Sequence, residues 1–153
     1  MATIQIDDTV HQGICPSCGA KGKRVDTATV KCMLSVSLNQ VRNTQYFFCR
    51  EPGCSVVYFS GDGTQFFHVP EVRERVFQKE PLNDSVFVCY CFRYTLGEIQ
   101  SEAESADDKR IVDAINSGIR AGQCACDWRN PQGDCCLGNV LALKKHFQSE
   151  RPT

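Results

Sequence analysis

Two hydrophobic rhythms divide this 153-residue chain. The first part carries short aromatic and β-branched blocks broken by turn residues. Tyr46-Phe47-Phe48 runs into Cys49, and Ser55-Val56-Val57-Tyr58-Phe59 runs out of Cys54, with Pro52-Gly53 between them. That pattern predicts a hairpin. Ser60-Gly61-Asp62-Gly63 reads as the next turn, with further strands over Thr64–Val69 and Glu74–Lys79. Val30, Met33, Leu34 and Leu38 have the spacing of a short helix within Thr29–Leu38.

The second part changes to helical spacing. Val86-Phe87-Val88 is a short extended segment after a linker over Glu80–Asp84. Thr95-Leu96-Gly97-Glu98 fits a capping box opening a helix to about Ala103. After an acidic turn, Asp107 or Asp108 is the expected cap of a second helix with Ile111, Val112, Ile115 and Ile119 on its apolar face. Gly118 and Gly122 are expected to end it. A third helix opens at Cys136 and runs through Leu137, Val140, Leu141, Leu143, Lys144 and Phe147. The prediction is an α+β fold, with a β-rich unit over residues 1–80 and a small helical unit over 86–150.

Cysteine usage gives this outline a chemistry. There are 11 cysteines, an odd number, so disulfides cannot use every thiol. The N-terminus shows no basic and apolar leader pattern, and no apolar run approaches the roughly 18 residues a membrane helix needs. Both point to a cytoplasmic chain with reduced thiols, where clustered cysteines bind metal. A net charge of −1 offers no basic field for nucleic acid. Two four-thiolate centres of about −2 each would take the loaded protein to roughly −5, which disfavours nucleic acid further. Neither a Ser/His/Asp triad, a phosphate loop nor paired carboxylates stand out, so the expectation is a carrier rather than an enzyme.

The cysteines form two groups. Cys15-Pro16-Ser17-Cys18-Gly19 is a metal knuckle, and Cys49 and Cys54 supply a second pair about 30 residues on. This set has the shape of a zinc ribbon, in which four thiolates close the coordination sphere of Zn2+. A rubredoxin-like single iron is the rival, although its second knuckle is normally Cys-x-x-Cys. The second group is Cys89-Tyr90-Cys91, then Cys124-Ala125-Cys126, then Cys135-Cys136. Its order is that of a ferredoxin-type centre and resembles the bacterioferritin-associated ferredoxin (BFD-like) domain over residues 86–150. The position matching that family's fourth cysteine is Asp127, so Cys126, Cys135 or Cys136 must supply the fourth thiolate.

A second resemblance spans most of the chain. The ordered motifs are Cys15-Pro-x-Cys18, Tyr46-Phe-Phe-Cys49-x-x-x-x-Cys54-x-Val-Val-Tyr-Phe59, Val88-Cys-Tyr-Cys91 and Asn130-Pro-x-Gly-x-Cys-Cys136. They resemble the N-terminal domain of the CopZ copper chaperones. That resemblance implies a zinc site at Cys15, Cys18, Cys49 and Cys54. It implies a 2Fe–2S cluster on Cys89, Cys91, Cys126 and Cys136. Cys136 also suits an anionic cluster physically, because it opens a helix whose free N–H groups and dipole favour negative charge. CopZ chaperones continue into a Met-x-Cys-x-x-Cys copper-binding domain that is not found here.

The expected function is therefore a one-electron carrier in metal handling, with copper as the ion. It would reduce Cu(II) to Cu(I) for a separate copper carrier or transporter, fed by an electron donor. The alternative is a docking ferredoxin or metal sensor that binds a storage or regulatory partner. Cys32 is expected as a small core residue, Cys124 and Cys135 as spare thiols, and Trp128 and Arg129 as rim or shield.

Overall fold

The computed structural model describes residues 13–150. Four short strands form an antiparallel meander in the order β1-β2-β3-β4: β1 (Lys23–Val25), β2 (Tyr46–Phe48), β3 (Val56–Ser60) and β4 (Phe66–His68). Both central strands are buried along their whole length. A strand alternates its side chains between two faces, so continuous burial means that both faces are covered. Tyr46, Phe48 and Tyr58 join one core with Val25, Val30 and Met33. Phe47 and Phe59, opposite one another in register, stack with ring centroids 5.6 Å apart. They pack with Cys15, Cys49 and Cys54 on the other side.

Helix α1 (Thr27–Met33) covers the first face, turning Thr29, Val30 and Met33 inward. It stops well before the expected Leu38. Leu34 pairs with Val72, and the Ser35 N–H donates to the Glu71 carbonyl at 2.8 Å, so this backbone leaves the helical ladder for a cross-chain one. Leu38 begins a short 3-10 turn and is 56% exposed. The strand expected over Glu74–Lys79 is also absent. Phe77–Lys79 is a 3-10 turn, and the Phe77 N–H is taken by the Tyr90 hydroxyl at 3.0 Å rather than by a neighbouring strand.

The remaining residues build a helical layer on a two-stranded ribbon, β5 (Phe87–Cys89) with β6 (Tyr94–Thr95). Helices α2 (Leu96–Ala103), α3 (Arg110–Arg120), α4 (Cys126–Arg129) and α5 (Leu137–Ser149) follow. Val88, Leu96, Ile99, Ile111, Ile115 and Val140 form their core, and Cys89 and Cys136 belong to it. The Thr95/Glu98 capping box forms as expected. The cap of α3 does not come from Asp107 or Asp108. Instead Glu102, from the end of α2, reaches across to accept the Ile111 N–H at 2.9 and 3.2 Å. Asp108 faces Lys144 and Gln148 on α5. Gly118 lies inside α3 rather than ending it, at a position where a Cβ would meet the Phe92 ring at 2.2 Å; Gly122, at φ +71°, follows the helix end. The fold is the α+β type expected, and no helix among the described residues is long and apolar enough to cross a membrane.

Two tyrosines join the layers reciprocally. The Tyr58 hydroxyl donates to the Pro131 carbonyl at 2.5 Å, and the Tyr90 hydroxyl donates to the Arg75 carbonyl at 2.6 Å.

Candidate metal centres

The first cysteine group is assembled by two tight turns. In Cys15–Cys18 the Gly19 N–H returns to the Cys15 carbonyl and the Cys15 N–H pairs with the Ala20 carbonyl, both at 2.9 Å. Gly19 has φ +76°, a conformation that costs glycine little. The second turn hangs between β2 and β3, so the hairpin itself carries Cys49 and Cys54 to the first pair. All four sulfurs lie within 4.8 Å of one another. Cys15 and Cys54 are 3.9 Å apart, and Cys18 and Cys49 are 3.7 Å apart. A tetrahedron with Zn–S bonds of about 2.3 Å has edges of about 3.8 Å, so a zinc ion fits the set as it stands.

The electrostatics suit bound thiolates. The Cys15 sulfur accepts backbone N–H groups from Cys18 and Ser17, Cys49 from Glu51, and Cys54 from Val56. Without a metal, burial pushes the Cys49 thiol up to about 12, so a cation must displace its proton. Cys15, Cys49 and Cys54 are buried and Cys18 is exposed. The three buried sulfurs sit against Phe47 and Phe59, which keep water from that side.

The second group comes from three places in the helical layer. Cys89 ends β5, Cys91 follows in the turn to β6, Cys126 opens α4 and Cys136 occupies the N-cap position of α5. The Cys91 and Cys126 sulfurs are 3.4 Å apart, and the Ala125 N–H donates to Cys91 at 3.2 Å. Cys136 is hydrogen-bonded to both Cys89 and Cys126. Its single S–H serves one of these two neighbours at a time. Those bonds lower Cys126 to about 6 and Cys89 to about 7, and they raise Cys136 far above an ordinary thiol. Burial raises Cys91 to about 12. The contacts among these sulfurs are pairwise, Cys91 with Cys126 and Cys136 with Cys89 and Cys126, whereas the zinc set brings all four thiols within 4.8 Å of one another.

The other thiols lie outside both groups. Cys124 and Cys135 are exposed and line a cavity of about 400 Å³ with Cys126 and Trp128. Cys32 is exposed rather than a core residue, because the inward stripe of α1 falls on Thr29, Val30 and Met33. It shares a second cavity with Arg73, Trp128 and Arg129. Trp128 is 60% exposed, so it stands at the rim of both cavities. The Ala125 N–H was not legible in the sequence, since any residue offers that donor.

These features define a cysteine-rich zinc-binding domain, and comparison with known proteins places it further. A family model described as a zinc binding domain, of the CopZ type, matches residues 12–73. The chain is 32% identical over 129 residues to the copper chaperone CopZ of Archaeoglobus fulgidus. That alignment takes in 84% of this chain and 60% of the relative. The X-ray structure of the Archaeoglobus fulgidus CopZ N-terminal domain superposes with a TM-score of 0.70 at 30% identity, covering 84% of this chain and 95% of that one. The chain belongs to the family of CopZ N-terminal zinc-binding domains. It spans 60% of the length of the curated copper chaperone it matches.

Proposed function

We propose that the chain is a one-electron carrier in copper handling, not an enzyme with a bound organic substrate. In this reading Cys15, Cys18, Cys49 and Cys54 hold structural zinc, and Cys89, Cys91, Cys126 and Cys136 hold a 2Fe–2S cluster. The observation that carries it is the second thiol group. It is supported by the Cys91–Cys126 sulfur contact of 3.4 Å, with Cys136 beside Cys126 and Cys89, well away from the zinc set in sequence. A fold that needed metal only for stability already has a closed four-thiolate site.

The donor set fits such a cluster. Four thiolates are its usual ligands, and hydrogen bonds to their sulfurs tune its potential. When bound, it would supply one electron at a time, enough to convert Cu(II) to Cu(I). The protein's own groups prepare the site. Ala125 gives its N–H to Cys91, and Cys136 stands at the N-terminal, positive end of α5, where the helix dipole offsets negative charge. Val88 and Val140 in the surrounding core keep the site dry. Cys124 and Cys135 border the exposed side, where a soft ion such as Cu(I) would find thiol ligands. An external electron donor and a separate copper carrier complete the cycle. The name of the Archaeoglobus relative, a copper chaperone, supports copper as the ion.

The test is zinc, iron and acid-labile sulfide analysis of anaerobically purified protein, with EPR before and after reduction. One zinc, two irons and two sulfides with a reversible S = 1/2 signal are expected, followed by stoichiometric Cu(II) reduction. Zinc alone after anaerobic reconstitution would remove the carrier reading. The exposed Trp128 beside Cys126 favours a second reading, in which this face docks a storage or regulatory protein or serves metal sensing. A stable, copper-independent complex and no Cu(II) reduction would select it.

A further inference from the structure

The loop joining Cys126 to Cys136 is held mainly by the zinc-binding half of the chain. The Thr29 hydroxyl, on α1, donates to the Asp127 carbonyl at 2.5 Å. The Tyr58 hydroxyl, on β3, donates to the Pro131 carbonyl at 2.5 Å. Lys23, on β1, donates to the Gln132 carbonyl at 3.1 Å and pairs with Asp134 at 2.8 Å. Gln78 donates to the Gln132 side chain at 2.7 Å.

The loop is also stiff in itself. Asn130, 2% exposed, accepts the Gln132 N–H and donates to the Asp134 carbonyl. The Gln132 amide donates to the Cys135 carbonyl at 3.1 Å, just before Cys136. Gly133 lies against Thr29 and Val25. A segment rigid inside and fastened outside fixes the positions of its two terminal cysteines.

We propose that Tyr58, Thr29 and Lys23 are positioning residues for the iron–sulfur centre, and that the zinc-bound sheet sets the separation of Cys126 and Cys136. This inference rests on the cluster reading above. Its physical basis is pre-organisation: a ligand pair already at its bonding positions loses little conformational entropy when the cluster forms. Zinc enters through β3, which starts two residues after Cys54 and carries Tyr58 at its centre. The Val56 N–H that bonds the Cys54 sulfur belongs to the same strand. Loss of zinc would therefore loosen the anchor of a thiolate pair that the zinc never touches.

The test uses the full chain loaded with zinc and cluster under anaerobic conditions. Tyr58→Phe keeps the ring and removes one hydroxyl. Lys23→Met removes the partly exposed cation, and Lys23→Arg restores it. The readouts are zinc content, melting temperature, EPR g-values of the reduced cluster and the rate of cluster loss to an iron chelator. The expected result is unchanged zinc, shifted g-values and cluster loss about tenfold faster in Tyr58→Phe and in Lys23→Met, with recovery in Lys23→Arg. Unchanged g-values and lifetime in both variants, with or without a lower melting temperature, overturn the positioning role while leaving the cluster reading intact. If the unaltered protein takes up no iron and sulfide, the cluster reading fails and this inference falls with it.

Discussion

Replacing Glu102 by alanine tests whether one carboxylate joins two helices. Glu102 is 7% exposed and accepts the Ile111 N–H, one of the free donors in the first turn of α3. Ile111 is itself 2% exposed, so water cannot easily replace the lost acceptor. An orphaned buried donor costs about 1–3 kcal/mol. Loss of negative charge at a helix N-terminus adds about 0.3–1 kcal/mol. The ion pair to Arg110, at 3.3 Å, adds little, because that side chain is 80% exposed and such pairs contribute at most about 1 kcal/mol. The total is about 3 kcal/mol, or roughly 6–12 °C in melting temperature for a chain of this size. The assay is thermal and urea unfolding of zinc-loaded protein, with metal content matched between variants. Arg110→Ala should cost no more than about 1 kcal/mol. Glu102→Gln, which keeps an acceptor, should fall between the two. A Glu102→Ala cost below about 0.5 kcal/mol, or an equal cost for Arg110→Ala, would refute the capping argument.

Three further outcomes are expected. Gly118→Ala gains about 1 kcal/mol in helix propensity but places a Cβ 2.2 Å from the Phe92 ring, where overpacking costs about 1–3 kcal/mol. The variant should therefore be no more stable than the parent in urea melts, and a gain near 1 kcal/mol would show that the ring moves freely. Cys49→Ala should weaken zinc at least about 100-fold against a chromophoric chelator, while Cys32→Ala, exposed and outside the set, should leave it unchanged. Zinc affinity should rise with pH between 6 and 8. The metal-free Cys49 thiol, pushed up to about 12, keeps its proton throughout that window, whereas the metal-bound sulfur holds none, so raising pH weakens the competing proton. A pH-independent affinity in the same competition assay would contradict that assignment.

Much of the zinc set was legible because local spacing and turn residues build it. Cys15-Pro-Ser-Cys18-Gly19 writes its own turn, and the hairpin brings Cys49 and Cys54 to it. The Thr95/Glu98 box was legible for the same reason, since both partners lie within one helical turn. Features that depend on distant backbone were not. The sequence suggested Asp107 or Asp108 as the cap of α3, but Glu102 reaches Ile111 from another helix. Strand β1 is only three residues long and exists because β2 pairs with it. Helix α4 spans four residues, too few for any periodicity to be seen. Cys32 followed an apolar pattern, yet the buried stripe of the helix falls on Thr29, Val30 and Met33 and turns Cys32 outward. The fastening of Asn130–Asp134 has the weakest sequence signal, because several acceptors there are main-chain carbonyls that every residue possesses.

The reciprocal tyrosines give the molecule its own optical gauge. Of its four tyrosines, Tyr58 is fully buried, and burial raises its phenol well above the usual value; Tyr90 is raised for the same reason. Each hydroxyl is spent on the backbone of the opposite half. In an alkaline absorbance titration these two phenols are expected to ionise later than an exposed tyrosine while the layers remain joined, and near the usual value once the layers part. The ultraviolet signal of phenolate formation would thus register the seam itself, without a label or a bound metal.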